Sequence, residues 1–428
     1  MDELQITATC AIISNINSNG LYKEVRGWKM IKGYKYRIYP TSTQEIQLLK
    51  TIGSARKVYN LLLSDRLDIY NDYSLGKITQ EEMLSLTKKL TPKRYKEEHD
   101  YLKEVDSQAL SQSHQNLNTA YSHFFRKLKK GHSKPGLPQF KSKNKHKWSY
   151  STCTTNNNVR LEESGLILPK IKGHVKIKLH RTFQGDIKRA TVVKNRSGKW
   201  YVSLTVDDHK TEPETVEPHT SVGLDLGLLH YLITSDDDFF DNPKISRSFS
   251  KKLAREQRKL SKKMEIAKKK GEKLDDCSNY QKQKIVVAKI HEKIVHKRKD
   301  FIHKLSALIV KNHDIIAVES LKPSNMVKNR TLAYSIVDVS WSDFVSKLEY
   351  KCKDQGKILV KVDQYFPSSQ LCSECDYRSG KKSLHVRQWV CERCQSIHDR
   401  DVNAAKNILK EGLRILELEK TVGTAGLA

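Results

Sequence analysis

Polar and apolar residues alternate from Tyr34 through Tyr36 and Ile38 to Pro40, the period of a half-buried strand. Residues 1–29 show little periodicity, so the fold is expected to begin after them. Ser42-Thr43-Gln44-Glu45 then reads as a capping box, and Leu48, Ile52, Ala55, Tyr59 and Leu62 follow at helical spacing. A second helical stripe runs from Leu102 through Val105, Ala109, Leu117, Ala120, Phe124 and Leu128 to a stop at Gly131. The basic run Lys134-Pro135-Gly136-Leu137-Pro138-Gln139-Phe140-Lys141 breaks that period. Beyond it Val175, Ile177 and Leu179 alternate, and Trp200, Val202, Leu204 and Val206 alternate after a Ser197-Gly198 turn. This predicts an antiparallel sheet or small barrel whose first strand precedes an inserted helical block.

From Ser221 the pattern becomes α/β. Val222-Gly223-Leu224-Asp225-Leu226-Gly227-Leu228 reads as an apolar strand carrying one acid, and Tyr231-Leu232-Ile233-Thr234 as the next strand. Ile315-Ile316-Ala317-Val318-Glu319 repeats the theme, an aliphatic strand ending in a carboxylate. Between them Leu253 and Leu260 stand at heptad spacing, and Ile285, Ala288, Ile294, Phe301, Leu305 and Leu308 form a broader stripe, predicting a helical hairpin. Trp341, Phe344 and Leu348 mark a further core helix, and Asn403 to Ile408 the last one.

Charge narrows the partner. The 428 residues hold 78 Lys and Arg against 49 Asp and Glu, a formal net charge of +29, with 37% hydrophobic residues. A sequence pI near 9.6 is the footprint of polyanion binding, and the apolar share suffices for folded cores. No run approaches the length of a membrane span, and the basic residues are spread along the chain, so nucleic acid ranks above a membrane surface. Residues 251–270 carry ten Lys and Arg, and a hairpin displaying Lys251, Lys252, Arg255, Arg258, Lys259, Lys262 and Lys263 can track phosphates.

Cys372, Cys375, Cys391 and Cys394 form two CxxC knuckles fifteen residues apart, the spacing of a closed tetrahedral Zn²⁺ site. The alternative, two disulfides, needs an oxidising compartment, whereas the chain opens on Asp2 and Glu3 with only a short apolar run at Ala11 to Ile13. A cytosolic protein with one structural zinc is expected. Cys10, Cys153, Cys277 and Cys352 lack partners at motif spacing and receive no role. Asp225 and Glu319 would be costly in core strands unless paired or holding a cation, and Asp401 opens the final helix. Converging carboxylates hold Mg²⁺ pairs for phosphoryl chemistry. Taken singly, each also reads blandly, Asp225 as a turn residue, Glu319 as a strand end, and Asp401 as a helix cap. Asp399 reads as an N-cap or a ribbon hydrogen-bonding residue.

Gly223-Leu224-Asp225-Leu226-Gly227, Val318-Glu319-Ser320-Leu321, the cysteines preceded by Ser368-Ser369-Gln370, and Asp399-Arg400-Asp401-Val402-Asn403-Ala404-Ala405-Lys406-Asn407-Ile408 together resemble the TnpB family. The resemblance runs from Tyr34-Lys35-Tyr36-Arg37-Ile38-Tyr39-Pro40, through Gly136 to Lys141 and Arg298-Lys299-Asp300-Phe301-Ile302-His303-Lys304, to the end. It implies an RNA-guided DNA endonuclease of insertion sequences, related to type V CRISPR effectors. The implied fold is multidomain α+β: a β-barrel-like N-terminal domain with an inserted helical bundle, then an RNase H-like, RuvC-like α/β nuclease with an inserted zinc ribbon. The corresponding segments are a 1–29 extension, 30–40 and 165–215 for the β domain, and 41–164 for helices and basic linker. The nuclease takes 216–370 and 396–412, the ribbon 371–395 and a tail 413–428.

Asp225, Glu319 and Asp401 become the catalytic, metal-binding acids with two Mg²⁺ ions. The partners are a guide RNA derived from the transposon end and double-stranded target DNA, in the cytoplasm at the nucleoid, with no membrane. A monomer is the default expectation. A nuclease-dead-type guided repressor and a DNA-joining transposase are the alternatives, and the intact acids weigh against the first. Two departures stand out: Asp376 and Gln395 follow the CxxC pairs where the family has Gly, which implies strain if φ is positive there, and Ser320 replaces an acid.

Overall fold

The computed structural model describes residues 31–131, 135–144, 146–210, 213, 215–383 and 385–425. The extension expected over 1–29, Cys10 and Lys134 lie outside them. The chain divides into two units, Met1–Thr211 and Glu212–Ala428.

In the first unit, β1 (Ile31–Tyr39) alternates buried Tyr36 and Ile38 with outward residues, as its sequence period requires. It is followed by helices α1 (Ser42–Ser74), α2 (Gln80–Lys89), α3 (Pro92–Glu98) and α4 (Ser107–Lys129). The strands β2 (Trp148–Cys153), β3 (Arg160–Glu162), β4 (Gly165–Ile167), β5 (Lys176–Lys178), β6 (Asp186–Lys194) and β7 (Trp200–Asp207) complete it. The main sheet has the order β2-β6-β7-β1-β5 and is antiparallel throughout. Tyr36 stands opposite Val202 and Ile38 opposite Trp200. One core joins these side chains to Leu48, Ile52 and Ala55 of α1 and Ala109 of α4. A second core lies among the helices, around Leu62, Leu63, Leu102, Leu110 and Leu117.

Several local expectations shift. The cap of α1 is Thr41, whose side chain accepts from the Gln44 amide while Gln44 answers to the Thr41 amide. The box is one residue earlier than Ser42 and Glu45, and Glu45 instead pairs with Lys194. Leu102 and Val105 precede α4, which starts after its Asp106 cap, and both are buried where the chain turns into it. β2 arises within the stretch read as linker and pairs along β6. Leu179 lies past the end of β5 and is exposed.

The second unit is a mixed sheet under helices. Its strands are β8 (Ser221–Asp225), β9 (His230–Thr234), β10 (Phe239–Asp241), β11 (Ile315–Glu319) and β12 (Ile358–Val362), in the order β10-β9-β8-β11-β12. β11 runs parallel to both β8 and β12, whereas β9 and β10 are antiparallel additions. The helices are α5 (Ile245–Lys269), α6 (Ser278–Asn312), α7 (Pro323–Met326), α8 (Arg330–Val339), α9 (Trp341–Asp354) and α10 (Arg400–Ala425). Two short strands, β13 (Gln388–Val390) and β14 (Ile397–Asp399), pair as a hairpin just before α10.

Alternation sorts the two faces of this sheet. Val222, Leu224, Ile316 and Val318 enter a core with Ile302, Leu305 and Ile309 of α6 and Trp341, Phe344 and Leu348 of α9. The intervening residues Gly223 and Ala317 face α10. A Cβ on Gly223 would stand 2.0 Å from the Ala405 carbonyl oxygen, and one on Gly412 would stand 2.5 Å from the Ala317 Cβ. Small residues on both sides let the helix backbone lie against the strands. α10 continues to Ala425 instead of giving way to a tail after 412.

The hairpin of α5 and α6 forms, but its buried stripe is Val287, Ile290, Ile294, Ile302, Leu305 and Ile309. Ile285 and Leu308 are exposed. No helix among the described residues is long and apolar enough to cross a membrane.

Candidate active site and metal centre

Strand period and register bring the acids together. Asp225 lies two residues beyond Gly223 and Glu319 two beyond Ala317, so both share the sheet face covered by α10. Gly223 is the register partner of Ala317, and Leu224 that of Val318, which leaves Asp225 and Glu319 at adjacent strand ends. Asp401 lies one helical turn before Ala405, the residue whose carbonyl abuts Gly223. Burial first, and then the charges of Glu319 and Asp401, push the Asp225 carboxyl up to about 8, while Arg400 and the Leu226 amide act against them. Glu319 is also raised by burial, partly offset by a hydrogen bond from Ser368. Repulsion among carboxylates in a partly desolvated site is the electrostatic condition that a divalent cation relieves.

Two partners of these acids escaped the sequence reading. Ser368 Oγ donates to Glu319 Oε1 at 2.6 Å, and Arg387 Nη1 donates to Asp401 Oδ2 at 3.0 Å. Asp399 caps α10, its Oδ1 accepting from the Asp401 amide at 2.9 Å and the Val402 amide at 3.0 Å. Asn403 and Asn407 explain the polar positions inside the last helix. Asn403 donates to the Leu371 carbonyl and accepts from the Ser373 amide, and Asn407 donates to the carbonyls of Ser368 and Leu371. Both are buried and tie α10 to the first knuckle.

The four thiols converge. Donor atoms of Cys372, Cys375, Cys391 and Cys394 all lie within 4.8 Å of one another, the one such cluster of three or more His, Cys, Asp or Glu ligands among the described residues. Separations of 3.5 Å for Cys372–Cys394 and 3.6 Å for Cys375–Cys391 are far beyond the ~2.05 Å of a disulfide. They approach the ~3.8 Å edge of a tetrahedron with ~2.3 Å Zn–S bonds, so the set fits Zn²⁺. Burial pushes the Cys372 thiol up to about 12, and hydrogen bonds from Ser396 lead in drawing Cys394 down to about 6. A coordinated cation would stabilise the ionised form of all four sulfurs. His398, buried against Trp389, brings Nε2 to 3.1 Å from Cys372 Sγ, an outer-shell contact that spacing did not suggest. Asp376 and Gln395 adopt φ of 58° and 63°, the left-handed conformation that the missing glycines would have taken without strain.

On α5, Lys251, Lys252, Arg255, Arg258, Lys259 and Lys262 are exposed and Lys263 is half-buried. Arg255 and Lys259 both reach Glu256 Oε1 at 3.1 Å, Lys263 donates to the Asn279 carbonyl, and Arg258 to that of Ala254. Glu256 is itself buried and held by Gln283 of α6, so part of the basic run secures the hairpin.

Three family models match the chain. Residues 202–330 match the IS605 OrfB family described as "Probable transposase", residues 30–73 its "Helix-turn-helix domain", and residues 341–408 the "Cas12f1-like, TNB domain". The second of these spans β1 and most of the single helix α1. A Streptomyces pristinaespiralis protein with the provisional name RNA-guided DNA endonuclease is 35% identical over 89% of this chain and 89% of its own length. InsQ of Escherichia coli (strain K12), provisionally named in the same way, is 30% identical over 91% of this chain and 94% of its own. A chain in a cryo-EM structure of a Cas12f1-sgRNA-target DNA complex superposes at 13% identity and a TM-score of 0.47, covering 89% of this chain and 98% of that one, too loosely to bear on function. On the strength of the two full-length relatives, the chain belongs to the TnpB family of IS605-type OrfB proteins.

Proposed function

We propose that this protein is a transposon-encoded, RNA-guided, metal-dependent DNA endonuclease, with Asp225, Glu319 and Asp401 as its catalytic acids. The observation that carries the assignment is the placement of two strand-end carboxylates on the face covered by α10, where Glu319 and Asp401 raise Asp225. The names of the full-length relatives supply the reaction class. Carboxylate oxygens are the donors that Mg²⁺ takes, and it keeps part of its water shell when bound. Bound there, Mg²⁺ would polarise the scissile phosphate and lower the pKa of water.

The chain's own groups divide the remaining work. Asp225 would give up its proton when a cation is held there, and Glu319 is oriented by the Ser368 hydroxyl. The Arg387 guanidinium beside Asp401 offers a cation at the edge of the site. In this reading the second unit is a RuvC-like nuclease interrupted by the zinc ribbon at 371–395, and the first unit is a β domain with inserted helices. Exposed cations on α5 contribute guide and target affinity through phosphate contacts. Sequence choice belongs to base pairing with a guide RNA derived from the transposon end.

The test is plasmid cleavage by protein purified with its RNA. Asp225→Ala, Glu319→Ala and Asp401→Ala should each abolish Mg²⁺-dependent cutting and keep guided binding. Guided binding without cutting by the wild-type protein would favour a repressor, and cutting of one fixed sequence after RNase treatment would favour a self-sufficient recombinase.

A further inference from the structure

Tyr365 is the most exposed large hydrophobic residue among those described, at 82%. Single exposed aromatics are common and carry no meaning by themselves. The placement of this one does. Its loop joins β12 to the short helical turn Ser368–Gln370, and both ends are fastened at Glu319. Val362, three residues before Tyr365, is the register partner of Glu319, and its carbonyl accepts from the Ser320 amide at 2.8 Å. Ser368, three residues after, is the hydroxyl that donates to Glu319 Oε1. Three residues reach at most ~10 Å, so Tyr365 stands within that distance of both Val362 and Ser368, the two residues tied to Glu319.

The loop is also fastened along its length. Asp363 caps it, with Oδ1 accepting from the Tyr365 amide at 2.8 Å and its carbonyl from the Phe366 amide at 3.1 Å. Phe366 packs against the cluster of Ala317, Val362 and Ile408, and the Ser368 carbonyl accepts from Asn407. One aromatic is therefore anchored in the core while its neighbour is turned into solvent. The Tyr365 ring has no hydrogen-bond, ring or cation partner among the described residues.

We infer that Tyr365 is a stacking platform for a nucleobase of the DNA strand being cut, holding unpaired DNA beside the carboxylates. The inference rests on the endonuclease reading above and adds to it a substrate contact outside the acids. An aromatic face accepts any base, as a nuclease whose sequence choice lies in the guide requires. A strand stacked there has its backbone within reach of Glu319, and the fixed loop limits the ordering left to binding.

The ribonucleoprotein should be compared as wild type, Tyr365→Ala, Tyr365→Phe and Tyr365→Trp. Tyr365→Ala should slow cutting at saturating complex by about tenfold or more, within the range for loss of one base–aromatic stack, with guided binding and melting unchanged. Phe and Trp should return the rate to within about twofold, since each keeps the ring face. A second arm uses a short single-stranded DNA containing 2-aminopurine, in Ca²⁺. The wild-type protein should quench its fluorescence and Tyr365→Ala should not. A wild-type rate in Tyr365→Ala, a Phe variant as slow as Ala, or equal quenching by wild type and Ala would each overturn the proposal. If the wild-type protein cuts no guided target, the endonuclease reading falls, and the fluorescence arm still decides the stacking.

Discussion

Replacing Gly223 with Ala tests how the acid site is assembled. The new Cβ would stand 2.0 Å from the Ala405 carbonyl oxygen and 2.8 Å from both the backbone nitrogen and Cβ of Leu409. Two of these three atoms are backbone, so no side-chain rotation relieves the contact. Reaching the 3.0 Å that real Cβ atoms keep requires α10 to retreat from β8 by about 1 Å. Asp401 travels with that helix and Asp225 stays with the strand. Overpacking of this kind costs roughly 1–3 kcal/mol, and a misplacement of ~1 Å between reacting groups costs on the order of 100-fold in rate. Gly223→Ala should therefore lower the melting temperature by about 2–10 °C and slow cutting, measured well below the transition, by about 100-fold at unchanged guided binding.

Gly412→Ala supplies the contrast. Its Cβ would meet the Ala317 side chain at 2.5 Å, and it lies eleven residues beyond Asp401, ~16 Å along the helix. That variant should lose comparable stability and much less rate. Wild-type melting and cutting in Gly223→Ala would refute the close-packing account of the site. Equal rate losses in both variants would show that helix stability alone, and no local geometry at the acids, sets activity.

Five further outcomes follow from individual residues. Because Asp225 is raised to about 8, a divalent cation must displace its proton below that pH, so the Mg²⁺ demand for cutting should fall from pH 6 to 8 and then level off; a pH-independent demand would contradict this. In chelator the same shift has its own sign: its contribution to stability is whole below the unfolded value near ~4 and is lost as pH climbs through about 8, so melting should fall across that window and Asp225→Asn should flatten the fall. Gly53, inside α1 with nothing within 4 Å of its added Cβ, should gain ~0.5–1 kcal/mol on replacement by Ala, read by denaturant melting. Cys372→Ser should reduce zinc content measured by metal analysis and destabilise the second unit, while unchanged stoichiometry would remove this ligand. Asp399→Ala should cost ~0.5–2 kcal/mol through the lost cap and keep substantial cutting, and an inactive but well-folded variant would shift the catalytic role towards Asp399.

Asp225 and Glu319 stood out because each broke a rule. An acid inside the runs 222–228 and 315–319 is anomalous in a buried strand, and β8 and β11 do occupy Ser221–Asp225 and Ile315–Glu319. What the chain hid was polar and distant. Ser368 opens a one-turn helix and Arg387 lies in a loop, neither within a periodic run, and their partners are 49 and 14 residues away. α2 and α3 escaped because each buries a single side chain, Met83 and Tyr95, under otherwise polar surfaces. β2 escaped because its buried positions are Tyr150 and Thr152 in a Ser- and Thr-rich run. The stripe of α6 was misread for a different reason. Ile290 and Ile294 pack on α5, while Ile302, Leu305 and Ile309 enter the core under the sheet, so one helix serves two partners and no single stripe describes it.

The position of the ribbon just ahead of the last acid has a mechanical reading. β14 ends at Asp399 and α10 begins at Arg400, so the hairpin passes into the helix without a linker. The Arg400 amide donates to the Arg387 carbonyl of the ribbon, and Arg387 also reaches Asp401. On the other knuckle, Asn403 and Asn407 lock the first turns of α10 to Leu371 and Ser373, the neighbours of Cys372. Both knuckles are thus coupled to the turn that carries Asp401. Such small hydrogen-bonded segments bury too little apolar surface to hold their shape alone, and the ribbon core is little more than Cys372, Trp389, Cys391 and their neighbours. The metal is what would make it stiff, since structural zinc contributes on the order of 10 kcal/mol in modules of this size. In the proposed mechanism, a zinc held here would act on phosphodiester chemistry without touching a phosphate, by fixing where the helix begins and hence how far Asp401 stands from Asp225.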